Sequence, residues 1–267
     1  MIGAALQAVE RFVLPNACVA CGRVVETAAP DSLVCGPCRS RLRPVPPGCE
    51  RCRQPLPPVG PCRFCADWPD GFSRATSAVW LGEEARELVH HLKYEGYTKL
   101  GVLAATTIAS QTLSPPATAS LVPVPLGGRR RLDRGYNQAA EIGRALADIW
   151  SLPLEETVIR RRRETRSQTT LTPEERVKNM RGVFEAILPH SRGNNTGKIA
   201  SPTGSAAAQC EAVTPRSNIA ILVDDVLTTG ATLASAAAAL LDAGWTDVRA
   251  VTFARALPFA VCVETQR

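Results

Sequence analysis

Residues 219 to 244 read IAILVDDVLTTGATLASAAAALLDAG, and the order of side chains within them decides the fold. The run from Ile219 to Val223 is short, unbroken and apolar, as in a strand buried on both faces of a parallel sheet. Two carboxylates, Asp224 and Asp225, close it. Thr228, Thr229, Gly230, Ala231 and Thr232 come next, and then an alanine-rich segment with leucines at helical spacing. Strand, loop and helix follow one another, and in an open α/β sheet that junction is where ligands gather. A helix start offers unpaired N–H groups and the positive end of its dipole to phosphate. Gly230 permits close backbone approach and the threonine hydroxyls can donate to the same oxygens. Adjacent carboxylates would repel a bare phosphate, so the ligand must bring a sugar diol or Mg²⁺ as well. Ribose 5-phosphate has that layout. Helix capping would explain one carboxylate, but hardly the pair together with the hydroxyl run.

Working outward, the same alternation recurs. ATSAVWL (75 to 81) reads as a strand, EEARELVHHLKYEG (83 to 96) and LGVLAATTIASQTL (100 to 113) as helices, and SLVPVPL (120 to 126) as a strand. A basic loop, GGRRRLDRGYNQ, leads into the helix AAEIGRALADIW. A strand is expected near Leu154 to Arg160, a polar loop through the arginines of 160 to 166, and a last strand at VRAVTFA, 248 to 254. The fold class is therefore α/β, a central parallel sheet flanked by helices. His90 and His91 have no nearby ligand set and read as surface or packing residues. The stretch from 190 to 218, rich in Gly, Ser, Thr, Asn and Ala, reads as a disordered insertion.

The beginning of the chain is of another kind. Four CxxC pairs stand at Cys18 and Cys21, Cys35 and Cys38, Cys49 and Cys52, and Cys62 and Cys65. Each pair sets two sulfurs on one side of a tight knuckle, and two knuckles complete the tetrahedral thiolate shell of zinc. Two structural Zn²⁺ ions are expected in a module spanning 1 to 68, with residues 69 to 267 forming the α/β domain. Sequential pairing needs only short loops; a cross-braced arrangement would exchange the second and third pairs. Thiolate ligands in all four positions leave none open for substrate, so the metals are structural, and the module depends on them for folding. Cys210 and Cys262 lie outside the array.

The formal charge of the 267 residues is +6, and +5 of it falls between 120 and 181, a field that favours an anionic ligand there. No apolar run reaches the length of a membrane span, and the first fifteen residues lack the basic start of an export signal, so a cytoplasmic chain with reduced thiols is expected. Neither GxxxxGK[ST] nor GxGxxG occurs, which disfavours a P-loop ATPase or a dinucleotide enzyme.

VDDVLTTGATL resembles the 5-phosphoribosyl 1-diphosphate (PRPP) motif of type I phosphoribosyltransferases. Together with the CxxC pairs, HLKYEG, VPVP, RRLDRGYNQA and SQTTLTPEERVKNMRGVF, it resembles the ComF family of competence-associated phosphoribosyltransferase-like proteins over nearly the whole chain, the segment 190 to 218 excepted. The resemblance implies a type I phosphoribosyltransferase fold behind a double zinc ribbon, with PRPP and Mg²⁺ bound at Asp224, Asp225, Thr228, Thr229, Gly230, Ala231 and Thr232. It further implies a pyrophosphate loop at Arg131, Arg134, Gly135 and Asn137, and a flexible loop carrying Gln168, Arg176 and Asn179. Purine-type members carry Asp where this chain has Thr228, which argues against simple purine salvage. Two roles follow from the resemblance: a phosphoribosyltransferase in nucleotide handling, or a PRPP-sensing accessory protein that contacts single-stranded DNA or DNA-uptake proteins.

Overall fold

The computed structural model describes residues 17–25, 33–57, 60–162, 182–187 and 218–256. A short helix α1 (Gly36–Ser40) belongs to the cysteine-rich part. The remainder runs β1 (Phe72–Trp80), α2 (Glu83–Tyr94), α3 (Leu100–Gln111), β2 (Ala119–Pro123), α4 (Gly128–Arg134), α5 (Gln138–Trp150), β3 (Ile159–Arg161), β4 (Phe184–Ala186), β5 (Ile219–Leu227), α6 (Ala231–Asp242) and β6 (Asp247–Arg255). Strands β1, β6, β5 and β2 lie side by side in that order, every neighbouring pair parallel. Burial on both faces is what makes β2 and the first half of β5 apolar without alternation.

One face of the sheet is covered by α2, α3 and α5, the other by α6. Ala85, Leu88, Val89 and Leu92 form the buried stripe of α2, whose acidic first turn and basic last turn complement the helix dipole. Leu233, Ala236, Ala237 and Leu240 do the same for α6. Gly101 brings α3 against α5, where a Cβ would stand 3.0 Å from that of Glu141.

The segment read as a basic loop is in part helical, because Gly128–Arg134 form α4 and Gly135, at φ +77°, ends it by donating its N–H to Arg131 O. The strand expected at Leu154 to Arg160 is also corrected. Leu154 makes a single parallel bridge to Leu121, and only Ile159–Arg161 is a strand, paired antiparallel with β4 outside the main sheet. Arg160 and Arg162 both pair with Glu185 across that ribbon, so this arginine cluster is partly strand rather than loop. Asn218 stands immediately before β5, and its carbonyl accepts from the N–H groups of Thr246 and Asp247. Residues 190 to 217, Cys210, Cys262, Gln168, Arg176 and Asn179 lie outside the described residues. His91 sits 3.0 Å from Glu95 and edge-on to Tyr97, a packing role. No helix among the described residues is long and apolar enough to cross a membrane.

The cysteine-rich part is built onto the sheet rather than tethered to it. Val45 donates to Ala78 O and Trp80 to Arg43 O, so the segment between the second and third CxxC pairs runs antiparallel along the free edge of β1. Cys18, Val34 and Cys38 join the core on the α2, α3 and α5 face, while Cys52, Cys65 and Trp68 join the core beneath α6.

Candidate functional site

The eight cysteines are grouped sequentially. Cys18, Cys21, Cys35 and Cys38 form one cluster, Cys49, Cys52, Cys62 and Cys65 the other, with the sulfurs of each within 4.8 Å of one another. In the first knuckle of each cluster the backbone folds back on the first cysteine: Gly22 donates to Cys18 O at 2.7 Å, and Arg53 to Cys49 O at 2.6 Å. Gly48 must be glycine for the Cys49–Cys52 knuckle to close, since a Cβ there would stand 2.5 Å from Gln54 O. A tetrahedral zinc with four thiolates sets its sulfurs about 3.8 Å apart. The observed separations fit, at 3.8 Å for Cys21 to Cys35, 3.7 Å for Cys49 to Cys65 and 3.6 Å for Cys52 to Cys62.

The protonation energetics agree with a cation at each centre. Burial alone would raise Cys18, but N–H groups of Cys35, Ala20 and Cys21 donate to its sulfur and bring it down to about 6. Cys49, similarly opposed by burial, is brought to about 7 by the N–H groups of Cys52 and Arg51. Burial and the neighbouring thiols push Cys38 and Cys52 up, and Cys65 up to about 11. Four sulfurs so close cannot all ionise unaided; a divalent ion removes the repulsion. Both clusters could therefore bind zinc, with no open ligand position.

The second constellation lies at the carboxyl ends of β2 and β5. A cleft of about 390 Å³ opens there, bounded by the end of α2, the β2–α4 connection, β3 and the start of α6. Asp224, Asp225, Thr228 and Thr232 stand in its wall. Asp225 is nearly buried and receives Lys93 Nζ at 3.0 Å. Asp224 Oδ1 accepts the N–H of Asp225 at 2.9 Å. Burial, followed by the charge of Asp225, pushes Asp224 up to about 7, against the pull of that N–H, Lys93 and Arg161. A carboxyl raised in the folded chain binds protons that the unfolded chain has lost, so its contribution to stability falls as pH rises from the ordinary carboxylate range to about 7. Asp224→Asn is expected to flatten this part of the pH–stability curve, as measured by urea unfolding between pH 4.5 and 7.5. An unchanged slope would remove Asp224 as its origin.

Thr229 turns its hydroxyl inward, accepting from Ala231 N at 3.4 Å, while Gly230 takes φ +77° immediately before α6. Ala231 is buried at the first position of that helix. Of the four residues assigned to the pyrophosphate loop, Arg134 lines the cleft, its guanidinium 4.8 Å from the centre of the Tyr94 ring. Arg131 is absent from the wall; its neighbour Arg130 is present. Gly135 terminates α4, and Asn137 is committed to architecture, accepting from Ala139 N and donating to Val124 O at 3.0 Å. Lys93, Arg86, Arg130 and Arg161 were not singled out from the sequence. For Lys93 a signal existed, since it follows the buried stripe of α2 directly and so lies at the rim of the buried face. Arg161 sits in a run of like residues with nothing to distinguish it.

Five cations, Arg86, Lys93, Arg130, Arg134 and Arg161, thus face two carboxylates around one cleft. Such a wall suits a ligand with several negative charges and a group that carboxylates can hold. A larger cleft of about 810 Å³ lies at the amino ends of β1, β5 and β6, with Arg53, Arg74 and Arg249 in its wall. It is closed by the carboxyl-terminal end of α3, whose dipole disfavours anions.

No family model matches the chain. It is 26% identical over 231 residues to the DNA utilization protein YhgH of Salmonella typhi, covering 84% of this chain and 91% of that protein. Identity to the Competence protein ComFC of Bacillus subtilis (strain 168) is 29% over 225 residues, 80% of each. The DNA utilization protein YhgH of Escherichia coli (strain K12) is 24% identical over 231 residues, 84% of this chain and 91% of that protein. Relatives of these names, matched over most of the chain, support its assignment to the ComF family.

Proposed function

We propose that the cleft at the carboxyl ends of β2 and β5 binds PRPP with Mg²⁺, on a type I phosphoribosyltransferase fold, in a protein of DNA utilization or competence. The names of the relatives supply the second half of that reading. The observation that carries the first half is the juxtaposition of three unlike groups around 390 Å³. The start of α6, with Thr228 and Thr232, suits a phosphate monoester. Asp224 and Asp225 suit the ribose diol or a hydrated Mg²⁺, whose preference is for carboxylate oxygen. Arg130 and Arg134 suit the diphosphate, since their forked donors match phosphate oxygens. No smaller anion would use all three.

Thr228 offers a hydroxyl where the resemblance puts the general base of purine-type members, which disfavours purine salvage and leaves transfer to another acceptor open. The same hydroxyl favours a second reading beside transfer, in which the chain senses PRPP and acts on single-stranded DNA or uptake proteins without turnover. Calorimetric titration with PRPP tests the common premise. Binding should require Mg²⁺ and weaken about a hundredfold, or ~2.8 kcal/mol, when Asp224→Asn and Asp225→Asn are combined. Absence of binding to the wild-type chain would refute the assignment. Pyrophosphate release on adding nucleobase or amine acceptors would favour transfer, and binding without release would favour sensing.

A further inference from the structure

The second cysteine cluster and the loop before α6 meet at a single side chain, Trp68. It follows Cys65 by one turn, its N–H donating to Cys65 O at 3.3 Å, and is only 6% exposed. Its ring stacks on Phe72, with centroids 4.4 Å apart, and receives Phe64 edge-on. Arg51, from within the Cys49 knuckle, fastens the backbone around it by donating to the carbonyls of Cys65, Trp68 and Phe72. The far edge of the indole reaches Gly230. A Cβ built there would stand 2.9 Å from Trp68 Cζ2, 3.1 Å from Nε1 and 3.2 Å from Cε2, and these are the three nearest atoms.

Gly230 O accepts the N–H of Ala234 at 2.8 Å, which anchors the loop to the first turn of α6 but leaves its entry side to other contacts. Gly230 has no side chain to cap α6, and the Thr229 hydroxyl accepts from Ala231 N at a long 3.4 Å. A glycine at positive φ has more conformations open to it than any other residue, so an external surface is needed to select one.

We propose that Trp68 is a positioning residue for this loop: folded around its metal, the Cys49, Cys52, Cys62 and Cys65 cluster presses the indole on Gly230 and so sets how tightly the start of α6 holds phosphate. The affinity half rests on the PRPP reading; the mechanical half does not. The test uses the full zinc-loaded chain with two readouts, amide hydrogen exchange without ligand and titration with PRPP and Mg²⁺. In Trp68→Ala with both zinc ions retained, exchange at 228 to 232 should rise about tenfold while the amides of β5 keep their protection. PRPP affinity should fall about tenfold, as small misplacements of a positioned group do. Trp68→Phe, which keeps the stack on Phe72 but shortens the edge, should give about threefold on both scales. If Trp68→Ala loses metal, Trp68→Phe decides by the same readouts. Unchanged loop exchange, or a rise spread evenly through β5 and β6, overturns the proposal. Faster loop exchange in a chain whose wild type does not bind PRPP upholds the buttress and sinks the ligand assignment alone.

Discussion

Cys52→Ser is expected to reduce bound zinc from two ions per chain to one and to unfold the ribbon around the second cluster before the sheet. Cys52 is fully buried beneath α6, and its three partner sulfurs stand within 4.8 Å. A structural zinc contributes on the order of 10 kcal/mol to the folding of a small module, comparable with the whole stability of an ordinary domain. The residues between 49 and 67 offer little in its place, for Phe64 is the one large apolar side chain other than leucine and valine there. Metal analysis and a thermal melt check this: loss of one zinc, with a new low-temperature transition, is the expected outcome. Two zinc ions and an unaltered melt would mean that Cys52 is not a zinc ligand. Cys21→Ser, at an exposed position of the first cluster, should lose the other ion and loosen the face covered by α2 and α3.

The second large effect is expected at Arg255, the last residue of β6. It is fully buried, donating to Cys52 O at 2.6 Å and to Gln54 Oε1 at 2.6 Å and 3.1 Å, with its guanidinium 4.5 Å from the centre of the Phe64 ring. A buried arginine is tolerated only because its donors are met, and its removal leaves the carbonyl of Cys52 and the amide of Gln54 without partners. Arg255→Ala should cost about 3–5 kcal/mol, from the broken network and the cavity together. Arg255→Met, which refills most of the volume, should cost roughly half of that, since only the polar part is lost. Urea unfolding of the two variants measures the difference. Equal and small losses, below ~1 kcal/mol in both, would show that Arg255 contributes little to the joint.

Most of the parallel sheet could be read from the sequence because its strands are buried on both faces and so written as apolar runs. IAIL and SLV announce themselves; the helices between them carry stripes of leucine and alanine. What escaped was set by contacts between distant segments. Nothing in SLPLEETVIRR says that Leu154 will touch β2 once and leave, or that Ile159–Arg161 will pair with Phe184–Ala186. The candidate site was legible in the same measure. Asp224 and the threonines follow from the order of strand, loop and helix, whereas Lys93, Arg86 and Arg161 reach the cleft from other elements and look in sequence like solvated charge. Asn137, which the resemblance implied for the pyrophosphate loop, has its side chain engaged as the N-cap of α5. CxxC spacing marked both cysteine clusters, but not that their shared segment would lie against β1.

That segment has a consequence for the fate of the chain when metal is scarce. Strand β1 is the outer strand of a parallel sheet, and Arg43 to Val45 occupy hydrogen-bonding groups that would otherwise be open. An open, apolar strand edge is a template on which another chain can add. The zinc-free protein would therefore differ from the loaded one in its tendency to self-associate as much as in its stability. Sedimentation of the chain with and without a chelator is expected to show self-association only in the metal-free form.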